Sequence, residues 1–236
     1  MVNILEVQNI DAGYGKSQVL FGVSAMVKET SICAVLGPNG SGKSSLLKTI
    51  FGLTKIYGGQ IRFRGADITT RKPHEIARLG VAYLPQVDNL YLNLSVRENL
   101  VMAAYTLLSN ETQRRVGEVL DIFPILKQFV GKKTLTLSGG ERQILVMATA
   151  LMRQPSLMLF DEPSANLSPK ISGQIFDKIK ELNQQLGITV VVVEQNTKKA
   201  LELSDDVYLL VSGRINFHGA AKELAGQEFG RLFLGI

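Results

Sequence analysis

Short apolar runs recur along the chain, and the stretches between them have helical periodicity. The runs Ile32–Leu36, Leu157–Phe160 and Ile188–Val193 have the length and composition of buried strands. The clearest helix begins at Ser168-Pro169 and ends at Gly187. Weaker patterns predict strands at Ile4–Val7, Val19–Val27, Ile61–Phe63, Val81–Leu84 and Val207–Val211, a turn at Tyr57–Gln60 and a helix at Asn196–Leu203. This alternation predicts a largely parallel α/β sheet with right-handed crossovers.

The middle of the chain has a different pattern. From Ser95 to Met152 apolar residues recur mainly at helical spacing, and Ser95 with Glu98 forms the capping-box pattern of a helix start. A helix is predicted from Thr112 to Phe129, broken or kinked at Pro124. We therefore expect a helical insertion within the sheet.

Composition narrows the class of protein without identifying it. The chain has 236 residues, of which 45% are hydrophobic and 20% charged, as in ordinary globular proteins. The longest apolar stretch, Ile144–Met152, is shorter than the roughly 18 residues that a membrane helix needs. The first residues lack a signal-peptide pattern, and a single cysteine, Cys33, excludes an internal disulfide. These features favour the cytosol.

The net charge of +5 raises the question of a polyanionic partner. Basic residues are scattered, with only pairs such as Arg71-Lys72 and Lys132-Lys133 standing together. We therefore predict no nucleic-acid partner, and a nucleotide triphosphate would account for part of the excess positive charge.

The most specific motif is the phosphate-binding loop pattern at residues 37–44, which read Gly-Pro-Asn-Gly-Ser-Gly-Lys-Ser. It stands between a predicted strand and a predicted helix, which is the context that the motif requires. Its glycines let backbone amides approach phosphate oxygens, and the helix start adds further N–H donors. Lys43 can reach the β- and γ-phosphates, and the Ser44 hydroxyl can bind Mg²⁺.

Two acids follow the second buried strand. Asp161, at the carboxyl end of that strand, can hold Mg²⁺, often through water, and Glu162 can orient or deprotonate an attacking water. The alternative is that both acids merely close the strand. The phosphate-binding loop favours the catalytic interpretation.

Residues 137–141, Leu-Ser-Gly-Gly-Glu, form a second motif. Ser138 and Glu141 make a capping box at the start of an apolar helix, and Gly139 and Gly140 expose backbone amides there. One chain thus carries two phosphate-binding elements. They can share one nucleotide only if two ATPase chains face each other.

Together these motifs resemble the ATP-binding cassette (ABC) ATPases, and the resemblance covers nearly the whole chain. It implies an α/β P-loop NTPase (RecA-like) core with an antiparallel β part and an inserted helical subdomain at about 87–152, within one domain over residues 1–236. It also implies that two cassettes enclose two ATP molecules. Each ATP would lie between the phosphate-binding loop of one subunit and the Leu-Ser-Gly-Gly-Glu motif of the other, and hydrolysis would open the pair.

The resemblance also assigns roles to residues. It implies that an aromatic side chain, Tyr14, stacks on adenine and that Gln86 touches Mg²⁺ or water. The implied Mg²⁺ ligands are Ser44, Gln86 and Asp161, and the implied catalytic residues are Glu162, Gln86 and Gln195. The implied nucleotide-binding residues are Tyr14, Gly37, Pro38, Asn39, Gly40, Ser41, Gly42, Lys43, Ser44, Ser45, Ser138, Gly139 and Gly140.

Two positions depart from the family pattern. Gln195 stands where the family usually has a switch histidine, and a glutamine cannot take a proton at neutral pH. We hypothesise that it senses the γ-phosphate by hydrogen bonding alone. Leu167 stands where many cassettes have an aspartate. The two histidines, His74 and His218, lie in polar contexts and are interpreted as surface residues.

Several segments resemble one group of cassettes, the ATP-binding subunits of branched-chain amino-acid importers. They are Glu194–Asn196, Pro163–Pro169, Pro73–Gly80 and Phe233–Gly235, whereas Pro85-Gln86-Val87 differs from the Pro-Glu-Gly often found in that group. This resemblance implies that the chain works with transmembrane permease subunits and with a second ATPase subunit, which is either identical or a sister chain. It also implies an extracellular solute-binding protein, which would interact with this chain only indirectly. The chain would then lie on the cytoplasmic face of the membrane. By family analogy the helical subdomain and the Gln86 loop form the permease-docking groove. Beside Gln86 the chain has apolar residues that suit a partner surface, and packing in the core is the alternative for each of them: Leu90, Tyr91, Leu92 and Leu94.

Other functions remain open at this point. Importers of urea or short amides share much of the pattern, and some soluble ABC ATPases act in translation or DNA repair. A kinase or GTPase is disfavoured because the chain has no Asn-Lys-x-Asp guanine-reading motif and does have Leu-Ser-Gly-Gly-Glu.

Overall fold

Two sheets with helices around them make up the described part of the chain. The computed structural model describes residues 2–87, 90–105 and 107–225. Its strands are β1 (Asn3–Tyr14), β2 (Ser17–Lys28), β3 (Ile32–Leu36), β4 (Lys55–Phe63), β5 (Ala66–Asp67), β6 (Val81–Leu84), β7 (Leu157–Asp161), β8 (Thr189–Val193), β9 (Asp206–Val211) and β10 (Arg214–Ala220). Its helices are α1 (Lys43–Ile50), α2 (Pro73–Arg78), α3 (Val96–Ala103), α4 (Ser109–Ile122), α5 (Gly139–Leu151), α6 (Pro169–Leu186), α7 (Thr197–Leu203) and α8 (Ala221–Ala225).

The larger sheet has the order β10-β9-β3-β8-β7-β6. Its strands are parallel from β9 to β6, and β10 pairs antiparallel with β9. The smaller sheet, β2-β1-β4-β5, is antiparallel. The predicted fold class, an α/β P-loop core with an antiparallel β part, is confirmed.

The central strands are apolar throughout because both faces of the larger sheet are covered. In β3, Ala34 and Leu36 pack into a core shared with α3–α6, whereas Cys33 and Val35 pack into a second core shared with α1 and the smaller sheet. All five residues of β3, β7 and β8 are buried. Such uniform burial explains why these strands appear in the sequence as continuous apolar runs.

Local capping residues set the helix ends. Ser95 and Ser138 each form a capping box with the glutamate three residues later, at the starts of α3 and α5. Ser168 caps α6, and Gly187 ends it with a left-handed backbone, φ 65°. The helices α3, α4 and α5 lie between β6 and β7 in the chain, where the sequence predicts mainly helix.

One local prediction was wrong. Residues Tyr57–Gln60 are not a turn but part of β4. A Cβ atom on Gly59 would lie 2.4 Å from the carbonyl oxygen of Asn9, and the register of β1 shifts at this point. The glycine therefore accommodates a bulge in the neighbouring strand.

The predicted helix from Thr112 to Phe129 is shorter at its C-terminal end. Helix α4 stops at Ile122, and Pro124 begins a separate 3-10 turn over Pro124–Phe129. The missing N–H of proline ends the α-helical hydrogen bonding, so the predicted break is a real one.

The terminal segment Phe233–Gly235 lies outside the described residues. In the part of the chain that the structure describes, no helix is long and apolar enough to cross a membrane.

Candidate active site

The loop between β3 and α1 wraps around the first residues of α1. Gly40 and Gly42 have positive φ angles of 77° and 102°, which glycine adopts without strain. A Cβ atom on Gly37 would lie 2.0 Å from the carbonyl oxygen of Leu210, so this position cannot carry a side chain. Gly42 is the N-cap of α1, and no side chain in the described residues caps the first amides of this helix. Backbone amides at a helix start without a side-chain cap are suited to binding an anion.

Lys43 is largely buried beneath this loop, with 4% of its surface exposed. Its ammonium group donates to the carbonyl oxygens of Gly37, at 2.9 Å, and Pro38, at 3.0 Å. Burial lowers the pKa of Lys43, while the charges of the nearby acids act in the opposite direction. The buried Ser41 hydroxyl finds no hydrogen-bond partner among the described residues. A buried cation and an unpaired hydroxyl beside the amides of a helix start fit a phosphate group.

Asp161 ends β7 next to this loop and is 4% exposed. Its carboxylate accepts hydrogen bonds from the Ser44 hydroxyl, at 2.7 Å, and from the Tyr83 hydroxyl, at 2.9 Å. Burial, followed by the Asp161 charge, raises the pKa of Tyr83, so that this hydroxyl keeps its proton and remains a donor. The sequence analysis missed Tyr83, although its place three residues before Gln86 in a predicted strand was visible.

Glu162 and the two predicted glutamines meet at one point. The Gln195 side-chain amide donates to the Glu162 carboxylate at 2.7 Å, and that of Gln86 donates to it at 3.4 Å. Glu162 has a left-handed backbone, φ 49°, which is strained for a residue with a side chain. Such outliers persist where the surrounding structure holds them, often at functional sites.

Residues of the phosphate-binding loop line one cavity of about 350 Å³ together with Gln86, Glu162 and Gln195. The predicted site residues that line this cavity are Asn39, Gly40, Gly42, Lys43, Ser44, Ser45, Gln86, Glu162 and Gln195. Tyr14, at the end of β1, is 45% exposed, and its hydroxyl lies 3.3 Å from that of Ser45. An exposed ring next to a phosphate-binding loop is available for stacking on a base.

Glu194 is a second residue that the sequence analysis did not assign. It follows β8, is 3% exposed, and accepts a hydrogen bond from the backbone N–H of Ser164 at 3.0 Å. Burial raises its pKa, whereas hydrogen bonds from Ser164 act in the opposite direction. Its position directly after an apolar strand was the available signal.

The residues Ser138, Gly139 and Gly140 do not line this cavity. The Ser138 hydroxyl is engaged with the Glu141 carboxylate at 2.8 Å. A Cβ atom on Gly140 would lie 2.6 Å from Ile171, so close packing of α5 against α6 by itself requires glycine there. At Gly139 the nearest side chain would be Leu167, at 3.3 Å. Leu167, the departure noted above, thus packs within the subunit.

The two histidines, His74 and His218, are both exposed. Neither is among the residues that line the cavity between Lys43 and Glu162. The interpretation of both as surface residues agrees with their exposure. His218 also stacks on Tyr208, with ring centroids 4.1 Å apart.

Comparison with known proteins identifies the family. Residues 20–165 match the family described as ABC transporter. The probable branched-chain amino acid transport ATP-binding protein LivF of Archaeoglobus fulgidus is 51% identical over 234 residues, covering 99% of each chain. The ADP conformation of MJ1267, an ATP-binding cassette of an ABC transporter, covers 100% of each chain with 26% identity and a TM-score of 0.89. A dimeric post-hydrolysis cassette, MJ0796 bound to ADP and Pi, covers 92% of this chain and 98% of its own with 25% identity and a TM-score of 0.80. The chain therefore belongs to the ABC transporter family, as one of its nucleotide-binding, ATP-hydrolysing cassettes.

Proposed function

We propose that this cassette drives the import of branched-chain amino acids. The cargo class rests on the LivF relative, since 51% identity extends over 99% of both chains. The observation that supports ATP hydrolysis at this place is that Lys43, Ser44 and Glu162 line one cavity, with Asp161 bonded to the Ser44 hydroxyl. We further propose that residues 1–236 form a single cassette domain, with 87–152 as its helical subdomain.

ATP binding is assigned to the loop Gly37–Ser45 and to Tyr14. The loop amides and the start of α1 would receive the phosphates, and Lys43 would exchange its two carbonyl partners for phosphate oxygens. Tyr14 would stack on the adenine ring. Because Lys43 is already buried and already aligned by the loop, little reorganisation is needed on binding.

Mg²⁺ is assigned to Ser44, Gln86 and Asp161. These residues offer the hard oxygen donors that Mg²⁺ prefers, and the ion usually keeps water and phosphate oxygens as further ligands. Bound there, the ion would neutralise charge developing on the phosphates. Tyr83 holds one carboxylate oxygen of Asp161, so that the other stays turned toward Ser44.

Hydrolysis is assigned to Glu162, with help from two amides. The Glu162 carboxylate accepts the proton of an attacking water and orients that water toward the γ-phosphate. Gln195 and Gln86, which both donate to this carboxylate, hold it in place. We propose that Gln195 also donates a hydrogen bond to the γ-phosphate when ATP is bound.

Gln195→Ala is expected to lower the rate constant of hydrolysis by about 10-fold or more, because it removes a hydrogen bond to a charged group worth about 1.5–3 kcal/mol. Gln195→His is expected to add a pH dependence, because a histidine titrates in this range and a glutamine does not. Below about pH 6.5 a histidine becomes cationic and would pair with Glu162, weakening it as a base. Phosphate release between pH 5.5 and 8.5 measures both effects, with the exposed Gln185→Ala on α6 as control. An unchanged rate in Gln195→Ala would contradict the assignment.

A second ATPase subunit is required to complete the site. Ser138, Gly139 and Gly140 lie outside the Lys43–Glu162 cavity of their own subunit, yet they begin a helix that is suited to binding phosphate. We propose that they contact the γ-phosphate held by a facing cassette. The dimeric MJ0796 structure supports this arrangement. The facing cassette is either a second copy or a sister chain.

Transmembrane permease subunits are the proposed membrane partner, which places the cassette on the cytoplasmic face of the membrane. A groove of about 380 Å³ lies beside β6, between the larger sheet and helices α3 and α5. Exposed Tyr91, Met102 and Tyr105 give it an apolar wall. The groove begins at Pro85, next to Gln86, so that a permease segment docked there would lie beside the catalytic glutamine. An extracellular solute-binding protein would act only through the permease.

Transport by the assembled complex tests the cargo. The chain would be reconstituted with its permease subunits in liposomes, and ATP-dependent uptake of labelled leucine, isoleucine and valine would be compared with that of urea and acetamide. Uptake of the amino acids that disappears with Glu162→Gln is the expected result. Uptake of urea or acetamide alone would reassign the cargo. Stimulation of ATP hydrolysis by ribosomes or DNA, but not by permease membranes, would instead support a non-transport ABC ATPase.

A further inference from the structure

A buried carboxylate outside the proposed machinery connects two of its loops. Glu194 stands at the end of β8, between the strand and Gln195. One of its oxygens accepts from the backbone N–H of Ser164, at 3.0 Å, and the other from that of Gln195, at 3.2 Å. The first donor belongs to the loop that follows Glu162. The Glu194 side chain is therefore hydrogen-bonded to the backbone of two loops, the one after β7 and the one after β8.

The loop after β7 needs such support because it is strained. Glu162, with a φ angle of 49°, is in the left-handed region that glutamate avoids. Asn166, at 60°, is in the same region, which asparagine tolerates better. The backbone N–H of Glu162 bonds to the carbonyl oxygen of Val193 at 3.0 Å, which holds only the first residue of the loop. Glu194 supplies the next point of attachment, two residues further on.

An apolar side chain would fill the space of Glu194 without the free-energy cost of burying a carboxylate. The carboxylate can do what an apolar group cannot, namely accept hydrogen bonds from two loops at once. Gln195 in turn donates to Glu162 at 2.7 Å, which closes a ring of contacts from Glu162 through Ser164, Glu194 and Gln195 back to Glu162. The ring fixes the catalytic carboxylate relative to its amide partner.

We propose that Glu194 is a positioning residue for ATP hydrolysis, which sets the place of Glu162 and Gln195 through their backbones. This inference rests on the proposed role of Glu162 as the catalytic base. Glu194 does not line the cavity formed by Lys43, Ser44 and Ser45, so its effect falls on the hydrolytic step and not on nucleotide affinity.

Glu194→Gln tests the proposal, because it keeps the size of the side chain but replaces one acceptor oxygen with a donor facing a backbone N–H. We expect single-turnover hydrolysis of ATP with Mg²⁺ to slow by about 10- to 100-fold, as small misplacements of a catalytic group do. The Kd of ATP should change by less than about 2-fold, since the phosphate-binding loop is untouched. Hydrogen exchange in residues 162–167 should become faster. Glu202→Gln, at an exposed glutamate on α7, is the matched control.

A double mutant separates positioning from general destabilisation. In the Glu162→Gln background no base is left to be positioned, so adding Glu194→Gln should slow the residual hydrolysis by less than about 2-fold. The proposal would be overturned by any of three results. They are an equal fold-loss of hydrolysis rate in the native and Glu162→Gln backgrounds, a native hydrolysis rate in Glu194→Gln, and a loss of ATP affinity that matches the loss of rate. If Glu194→Gln does not fold, Glu194→Asp retains the charge one methylene further away, and a native rate in that variant overturns it equally. A native rate in Glu162→Gln alone would show that the proposed base is wrong, and the inference would fall with it.

Discussion

Replacing Glu162 with glutamine is expected to reduce the turnover of ATP by about 10²–10⁴-fold, the range lost when a general base is removed. The substituted amide has the same size, so the contacts with Gln195 and Gln86 can largely persist. It cannot accept a proton at neutral pH. ATP binding should therefore remain, and the unhydrolysed nucleotide should hold two cassettes together. Phosphate release, ATP binding and gel filtration with and without ATP and Mg²⁺ measure these three effects.

The three measurements separate the competing explanations. Glu202→Gln should behave like the native chain in all of them, because Glu202 is exposed and lies outside the site cavity. An ATP-dependent shift from monomer to dimer would support self-association. ATP binding without dimerisation would indicate a sister subunit as the partner. Native turnover in Glu162→Gln would exclude this residue as the base, and loss of ATP binding would contradict the whole assignment.

Lys43→Met is expected to weaken ATP binding by about 10- to 150-fold, the equivalent of one hydrogen bond to a charged group. The substitution should not lower the unfolding temperature of the nucleotide-free protein. Burial lowers the pKa of Lys43, so the folded protein binds this proton more weakly than the unfolded chain does. At neutral pH the charged lysine therefore reduces the free energy of unfolding, and removing the charge offsets the loss of its hydrogen bonds to the carbonyl oxygens of Gly37 and Pro38.

The contrast between affinity and stability is the test. Thermal unfolding with and without ATP, together with a binding titration, gives both quantities for the same protein. Lys48→Met, on the same helix, controls for the loss of positive charge outside the cavity. If Lys43→Met destabilises the nucleotide-free protein and its ATP affinity together, then the lysine serves mainly to hold the loop. Unchanged affinity would remove Lys43 from the binding site.

Features that depend on neighbouring residues could be predicted from the sequence. The apolar strand before Gly37, the capping serines Ser95, Ser138 and Ser168, and the glycine at 187 act through contacts within a few residues. The same holds for the phosphate-binding loop, whose backbone conformation depends on its own glycines. This is why the P-loop core and most of its element boundaries agree with the structure.

Features that depend on packing could not be predicted in this way. Tyr83 reaches Asp161 across 78 positions of sequence, and Glu194 reaches Ser164 across 30. No local pattern states which strands become neighbours, so neither contact could be deduced from spacing. The wrong prediction of a turn around Gly59 has the same cause. This glycine is needed because the bulge of β1 packs against it, and no local pattern in the sequence predicts that contact.

The strand order also governs when the catalytic centre can assemble during synthesis. Ser44 follows β3 and Asp161 ends β7, but these strands do not pair with each other, because β8 lies between them. β8 emerges from the ribosome after both. Until it has been made, β3 and β7 lack the partner that sets their separation, and closing so long a loop without it costs conformational entropy. A nascent chain that already carries the phosphate-binding loop and both acids therefore still lacks the strand that joins them in the sheet.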